Sequence, residues 1–245
     1  MNLSVTPKKS ILIFSIILAS LGLSACSDND DTDSIISPNP EDKLTNNIQQ
    51  YNVTVTNLTA AQPMSPLTLV IHEANTQLWQ QGQPSSLAIE KIAESGDNSD
   101  LLALASIKDN MTSKNILLPG ESDTLTLTLA DTNAQTISLV TMLVNTNDAF
   151  TGFSDITLKH LSLNETMEWQ TVVYDAGTEA NSEEKGTIPG PVDNGEGFNI
   201  TRDDLNRVHL HSGVISLDDG LVDSVLSAYH RFDNPSLNIK IQRIQ

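Results

Sequence analysis

A loop spanning residues 173–191, VYDAGTEANSEEKGTIPGP, is rich in side chains that can do chemistry. Its acids are Asp175, Glu179, Glu183 and Glu184, and its glycines are Gly177, Gly186 and Gly190. Clustered carboxylates can hold a hard cation, or act as acid and base in catalysis. They can also simply keep a loop soluble. Because Glu183 and Glu184 form a charge run with Lys185, we expect these two to face water.

The histidines are a second set of possible ligands. His209 and His211 are two residues apart in an expected strand, so their side chains share a face. With His72 they offer a transition-metal site, because imidazole nitrogens are common ligands of such ions. A histidine pair at this spacing is a weak signal, however, and we expect hydrogen-bonded structural histidines.

Motifs for catalysis do not stand out in the sequence. It has no G-x-S-x-G nucleophile elbow, and the glycine-rich segment 190–200 lacks the lysine and the spacing of a phosphate-binding loop. A carboxylate pair means little in a chain with 31 acidic residues. A non-catalytic binding or structural module is therefore favoured. The alternative, a surface enzyme acting on polysaccharide, requires a pocket with two carboxylates about 5–10 Å apart.

Alternating and apolar segments predict the strands that must position these groups. The predicted strands cover residues 51–58, 67–74, 122–131, 136–146, 168–176, 207–213 and 237–244. Two helices are predicted between the second and third strands. The first covers 84–97, with Ser85 or Ser86 as its cap and Gly96 as its end, and the second covers 99–110.

These elements predict an all-β fold, mainly an antiparallel β-sandwich, with a short helical insert near residues 85–108. Because aromatic residues make up only 4% of the chain, the core must consist mostly of Leu, Ile and Val. The run 136–146 is the most apolar, which favours a central strand.

The N-terminal segment indicates export. Lys8 and Lys9 precede the apolar run 11–23, and LSAC follows at 23–26. This order is typical of a secretory signal, and its ending resembles the bacterial lipoprotein signal, in which Cys26 becomes the lipidated first residue. Ser27 after the cysteine favours the outer membrane. We therefore predict a signal peptide (1–25), a disordered tether (26–50) and a domain (51–245).

The charge of the chain limits its partners. Removal of residues 1–25 takes away two of the 13 basic residues and leaves 11 against 31 acidic ones, a formal charge of −20. Such a charge repels nucleic acid and acidic polysaccharide and attracts cations. It also disfavours anionic lipid, so the acyl chains on Cys26 are expected to hold the protein to the membrane.

Four segments, in order, resemble the spondin N-terminal domain family. They are VTNLTAAQPMSPLTLVIHE (55–73), LVNTNDAFTGF (143–153), YDAGTEANSE with TIPGP (174–191) and VHLHSG (208–213). The resemblance implies a β-sandwich akin to calcium-dependent lipid-binding domains, with a calcium ion near one end. By position, it implies Asp148, Asp175 and Glu179 as ligands. Glu179 stands where the animal pattern has Asp, which keeps the charge on a longer arm.

Calcium suits this ligand set, because it takes six to eight oxygens, often from carboxylates and carbonyls on loops. The resemblance thus leads to an outer-membrane lipoprotein whose Ca²⁺-binding domain serves adhesion or another extracellular interaction with an unknown protein or glycan. Unlike the animal domains, this chain has no cysteines for disulfides within the domain, so calcium would carry a larger share of its stability. A purely structural envelope protein is the remaining alternative.

Overall fold

The computed structural model describes residues 48–130, 135–158 and 160–245, and of Gln135 it describes the backbone alone. The predicted signal peptide, Cys26 and nearly all of the tether lie outside the described residues. Within the described ranges, no helix combines the length and the apolar character needed to cross a membrane.

The described residues form two antiparallel sheets. Their strands are β1 (Gln49–Asn57), β2 (Thr68–Glu73), β3 (Ile107–Thr112), β4 (Ser122–Leu129), β5 (Gln135–Met142), β6 (Ala149–Ile156), β7 (Thr166–Thr171), β8 (Val173–Asp175), β9 (His209–Leu210) and β10 (Leu237–Arg243). One sheet has the order β4-β1-β10-β7 and the other β3-β2-β5-β6-β8-β9. The predicted all-β sandwich is confirmed, and the apolar strand β5 lies inside its sheet.

Alternation along the strands builds the core between the sheets. In β1 every second side chain is buried, and Val53 lies opposite Ile241 of β10 and Leu125 of β4. Leu69 of β2 and Leu139 of β5 face the same core from the second sheet. Burial of a Val, Leu or Ile side chain contributes about 1.5–3 kcal/mol. The aliphatic core expected from composition is therefore what holds the two sheets together.

The other face of the six-stranded sheet is covered by helix α1 (Leu87–Ser95), which short helix α2 (Ser99–Leu102) follows. Ile89 and Ile92 of α1 pack with Val70 and Val140, whose strand neighbours face the main core. The helix begins at Ser86, whose hydroxyl accepts from the Ile89 N–H, and it ends at Gly96. Both predicted ends of the first helix are confirmed.

The sequence prediction was wrong about the second helix and about strand β6. The second helix ends at Leu102 instead of 110, because residues 107–112 pair with β2 as edge strand β3. Strand β6 was missed, because Gly152 interrupts its pattern. That glycine lets β6 approach β5 closely, since a Cβ there would lie 1.9 Å from the Leu139 carbonyl oxygen.

The predicted strand 168–176 is two strands in different sheets. Strand β7 pairs with β10 in the four-stranded sheet, whereas β8 pairs with β6 and β9 in the other. The chain changes sheets at Val172, and the crossing delivers Asp175 to the end of β8. Strand β9 is much shorter than the predicted 207–213, but it lies directly beside Asp175.

Candidate metal centre

Three neighbouring strands bring the polar groups together. Ala149 at the start of β6 pairs with Asp175 at the end of β8, and Asp175 pairs in turn with His209 of β9. Asp148 precedes β6, and its carbonyl accepts from the Ala176 N–H at 3.2 Å. Residues far apart in the chain therefore meet because β6, β8 and β9 are adjacent in the sheet.

Asp148 is fully buried and anchors the acidic loop. Its Oδ2 accepts from the backbone N–H groups of Thr178 at 2.8 Å and Glu179 at 3.1 Å. Its Oδ1 is buried and has no hydrogen-bond partner among the described residues. Burial, reinforced by the charge of Asp175, raises the pKa of Asp148 to about 7. One oxygen thus fixes the loop while the other is left for a ligand.

Glu179 lies in the same surroundings. Its side chain is largely buried, and Oε2 lacks a partner among the described residues. Burial raises the pKa of Glu179 to about 8, with further contributions from the charges of Glu94, Asp148 and Asp203. A carboxylate in this position favours a proton or a cation as its neighbour.

Glu94, in the last turn of α1, is a member of this group that the sequence reasoning missed. It is buried; Oε2 accepts from the Asn199 N–H at 2.9 Å, and Oε1 has no partner among the described residues. Burial raises its pKa to about 7, and the charges of Glu90 and Asp148 add to this. Its position beside Ala93 on the buried side of the helix was the available signal.

Asp175 has a hydrogen-bond partner on each of its carboxylate oxygens. Its Oδ1 accepts from the Gly177 N–H at 2.8 Å and its Oδ2 from Asn181 Nδ2 at 2.6 Å. Burial raises its pKa to about 6, against the lowering effect of these bonds. We call Glu94, Asp148, Asp175 and Glu179 the carboxylate cluster. The structure thus places all three sequence-derived ligands in one buried region and adds Glu94 to them.

Asp175 also borders a second set of groups. One ligand atom each of Asp175, Asp204 and His209 lies within 4.8 Å of the others. His209 Nδ1 is 3.5 Å from Asp175 Oδ1, and His211 Nε2 is 4.0 Å from Asp175 Oδ2. Asp204 was not singled out from the sequence, because an acid in the polar segment 201–207 gives no local signal.

The histidines divide into two environments. His72 is a hydrogen-bonded core residue: its Nε2 lies 2.7 Å from Ser138 Oγ and its Nδ1 3.0 Å from Thr136 Oγ1. It therefore does not join His209 and His211. Those two have ring nitrogens, His209 Nδ1 and His211 Nε2, without partners in the described part of the chain. The expected role of a hydrogen-bonded structural histidine describes His72 fully and His211 in part, because His211 Nδ1 accepts from the Gly213 N–H at 3.0 Å.

Glu183 corrects another expectation. It was predicted to face water with Glu184, and Glu184 is indeed exposed, but Glu183 is only 1% exposed. Its Oε1 accepts from the Ile215 N–H at 3.1 Å. The backbone of Glu183 adopts a left-handed conformation, with φ = 50°. Burial raises its pKa to about 7.

The carboxylate cluster has the donor type that a hard cation prefers, although among the described residues ligand atoms of three side chains lie within 4.8 Å of one another only at Asp175, Asp204 and His209. Its donors are all oxygens, and three of them, Glu94 Oε1, Asp148 Oδ1 and Glu179 Oε2, are buried without partners among the described residues. Buried anionic oxygens without partners are costly, and a divalent cation relieves both the desolvation and the mutual repulsion. Calcium prefers this kind of donor set.

Fold and site together define an all-β, antiparallel sandwich with buried carboxylates at the ends of adjacent strands. The sequence matches the family described as Spondin_N over residues 46–189, more than half of the chain, and the protein belongs to that family. The match ends before segment 208–213, so it does not reach the part with His209 and His211. The family is one of non-enzymatic extracellular domains. No curated protein matches the chain.

Proposed function

We propose that this protein is a lipid-anchored, calcium-binding domain of the cell surface with a non-catalytic role in adhesion or another extracellular interaction. Membership of the spondin family supports an extracellular, adhesion-type domain. The observation that carries the calcium proposal is the set of three buried carboxylate oxygens without partners on Glu94, Asp148 and Glu179.

In this proposal Asp148, Asp175 and Glu179 hold calcium as the resemblance implies, and Glu94 adds a fourth carboxylate. These residues come from three segments: helix α1, the turn before β6, and the end of β8 with the loop that follows it. The bound cation supplies positive charge that replaces protons on the cluster. The residues thereby tie the three segments together, which orders the end of the sandwich that meets a partner.

The family and the charge of the chain limit the class of partner. We propose an extracellular protein or a glycan as the partner, and no nucleic acid, because the chain has a formal charge of −18.

The described clefts give no support to a polysaccharide-acting enzyme. Three of them are described, and each is lined by a single carboxylate: Glu121, Asp100 and Asp123, respectively. Glycoside hydrolysis by the usual routes needs two. The largest, of about 580 Å³, lies between Pro63, Pro119 and Tyr229, away from the carboxylate cluster.

Thermal unfolding with calcium or with a chelator tests the metal. A cation that binds only the folded state raises stability by about 2.7 kcal/mol when its concentration is 100 times Kd. We expect the unfolding midpoint to rise with calcium. In Glu94→Gln and Asp148→Asn we expect the calcium affinity to fall at least about tenfold, so that the rise is lost or needs a correspondingly higher calcium concentration. Glu184→Gln, at an exposed glutamate, is the matched control. A midpoint unchanged up to millimolar calcium refutes the proposal.

Membrane fractionation tests the anchor. The proposal that Cys26 carries the lipid, and that the protein is held at the outer membrane, depends on the sequence 8–27 alone. We expect Cys26→Ser to release the protein from the membrane fraction, because the charged surface by itself disfavours anionic lipid. If the Cys26→Ser protein stays with the membrane, lipidation at this residue is wrong.

A further inference from the structure

The geometry points to a second metal position, formed by Asp175, Asp204 and His209, that takes a transition cation of the Zn²⁺ type. It shares Asp175 with the carboxylate cluster and uses none of the other members. We call these three residues the histidine site. Apart from Asp175, it is argued from groups that the calcium proposal leaves unused, and it does not depend on that proposal.

The spacing of the ligand atoms suits a small cation. One atom of each residue lies within 4.8 Å of the others. Zinc binds nitrogen and oxygen at about 2.0–2.2 Å, so ligand atoms around a tetrahedral ion stand about 3.4 Å apart. The measured separation of His209 Nδ1 and Asp175 Oδ1, 3.5 Å, already matches this spacing, and the remaining separations exceed it by at most about 1.4 Å.

Atoms without partners converge on this position. Asp204 Oδ2 and His209 Nδ1 are buried and have no hydrogen-bond partner among the described residues. The His211 side chain is 0% exposed, and its Nε2 also lacks a partner and is directed at Asp175 from 4.0 Å. In the described part of the chain, Asp204, His209 and His211 therefore each have a buried polar atom without a hydrogen-bond partner near the Asp175 carboxylate.

Asn181 acts here as a positioning residue. Its Nδ2 donates to Asp175 Oδ2 at 2.6 Å and so orients the Asp175 carboxylate, as outer hydrogen bonds orient metal ligands. The Nδ1 of His211 accepts from the Gly213 N–H at 3.0 Å, so the neutral ring carries its proton on Nε2. That N–H points toward Asp175 Oδ2 from 4.0 Å, too far for a hydrogen bond.

The backbone holds the histidine site together. The Asn206 N–H donates to the Gly177 carbonyl at 2.7 Å, and the Asp203 N–H donates to the Thr178 carbonyl at 3.1 Å. Strand pairing sets His209 opposite Asp175. Asp204 is thus fixed between two anchored points, and the three ligands do not depend on a free loop to meet.

The donor type decides between cations. The carboxylate cluster offers oxygen alone, which calcium prefers, whereas the histidine site offers one imidazole nitrogen and two carboxylates. Zinc accepts this mixture, and three protein ligands leave its fourth position open.

Calorimetric titration of the untagged, chelator-stripped protein with Zn²⁺ tests the histidine site. We expect one zinc ion per chain, and affinity at least about tenfold weaker in Asp204→Asn and in His209→Gln. His160→Gln is the control, since His160 is exposed and distant in the chain from all three ligands. Glu94→Gln should leave zinc affinity unchanged. Urea denaturation of Asp204→Asn and His209→Gln will show that they fold, independently of any metal.

Several results would overturn the histidine site: no zinc binding to the unaltered protein, zinc affinity unchanged in Asp204→Asn and His209→Gln, or loss of zinc and calcium binding together in these variants with the fold retained. The last result would mean one shared site. Zinc binding through His209 without any calcium response would instead refute the proposed calcium function and leave the histidine site standing.

Discussion

Gly177 lies against Arg207 so closely that a Cβ at Gly177 would be 2.3 Å from the Arg207 carbonyl oxygen and 2.7 Å from its backbone nitrogen. Gly177 also has φ = 70°, which L side chains rarely adopt. This close contact places the segment 203–207, which carries Asp204, directly against the loop between Asp175 and Glu179. Both proposed metal positions therefore depend on the absence of a side chain at residue 177.

Replacement of Gly177 by alanine should be strongly destabilising. A left-handed alanine costs about 1 kcal/mol, and a backbone clash adds about 1–3 kcal/mol, so we expect a loss of about 2–4 kcal/mol in the free energy of unfolding. Chemical denaturation measures it. Gly120→Ala is the matched control, because Gly120 has φ = 77° and open space around it, and it should lose only about 1 kcal/mol. Equal losses in the two variants would contradict the importance of the Arg207 contact.

Arg202 ties helix α1 to the segment with Asp204. Its Nε donates to Glu90 Oε1 at 3.0 Å and its Nη1 to Asn206 Oδ1 at 2.7 Å. Arg202→Met keeps the apolar stem but leaves Glu90 buried without its cation. We expect a loss of about 2–3 kcal/mol in the free energy of unfolding, below the range for fully buried pairs because Arg202 is partly exposed.

Arg231 provides the comparison for Arg202. It pairs with Asp219 at 2.9 Å, but this pair is largely exposed. Exposed ion pairs contribute about 0–1 kcal/mol, so Arg231→Met should change the free energy of unfolding by less than about 1 kcal/mol. Denaturation of both variants in the same buffer checks the difference. A loss in Arg231→Met as large as in Arg202→Met would show that burial is not the deciding factor.

The metal-free protein should lose stability as the pH rises from 6.5 to 8.5. Burial raises the pKa of Glu94 and Asp148 to about 7 and that of Glu179 to about 8, against ordinary values of 4.5, 3.8 and 4.5. The folded state therefore keeps protons that the unfolded chain has already released, and this stabilisation is lost as the pH passes the folded pKa values. The unfolding midpoint in chelator, measured against pH, checks it.

His211 explains the choice of pH range. Burial lowers the pKa of His211 to about 4, so between about pH 4 and 6.5 the unfolded chain takes up one proton that the folded state does not, and this opposes part of the effect of the carboxylates. Above pH 6.5 the effect of His211 disappears and the carboxylates act alone. We expect Glu94→Gln and Glu179→Gln to flatten the fall between pH 6.5 and 8.5, and exposed Glu184→Gln to leave it unchanged. Calcium should oppose the fall, because it replaces the protons on the cluster.

Glu183 and Glu184 are neighbours with opposite expected effects. Glu183→Ala removes the acceptor of the Ile215 N–H from a buried position, so we expect a loss of about 1–3 kcal/mol in the free energy of unfolding. Glu184→Ala changes an exposed side chain and should stay within about 0.5 kcal/mol. Urea denaturation of both variants distinguishes them. Similar small losses would restore the view that both residues only face water.

Much of the fold follows from local periodicity. The alternation of Val53 and Val55, or of Ile239 and Ile241, requires a half-buried strand, and Ser86 and Gly96 mark the ends of α1. Such patterns repeat every two or four residues and need no distant partner to be read. The prediction failed where pairing decides the structure: the polar edge strand β3 forms because β2 lies beside it.

For the site, the sequence by itself determined the acidic loop, and the family resemblance supplied Asp148, Asp175 and Glu179. Only the tertiary structure decided that Glu94, Asp204 and His209 lie near them and that Glu183 is buried. The physical reason is that these meetings depend on the order β6-β8-β9 and on the close contact at Gly177, which join segments up to about 115 residues apart. A carboxylate in a polar segment looks the same in the sequence whether it faces water or another carboxylate.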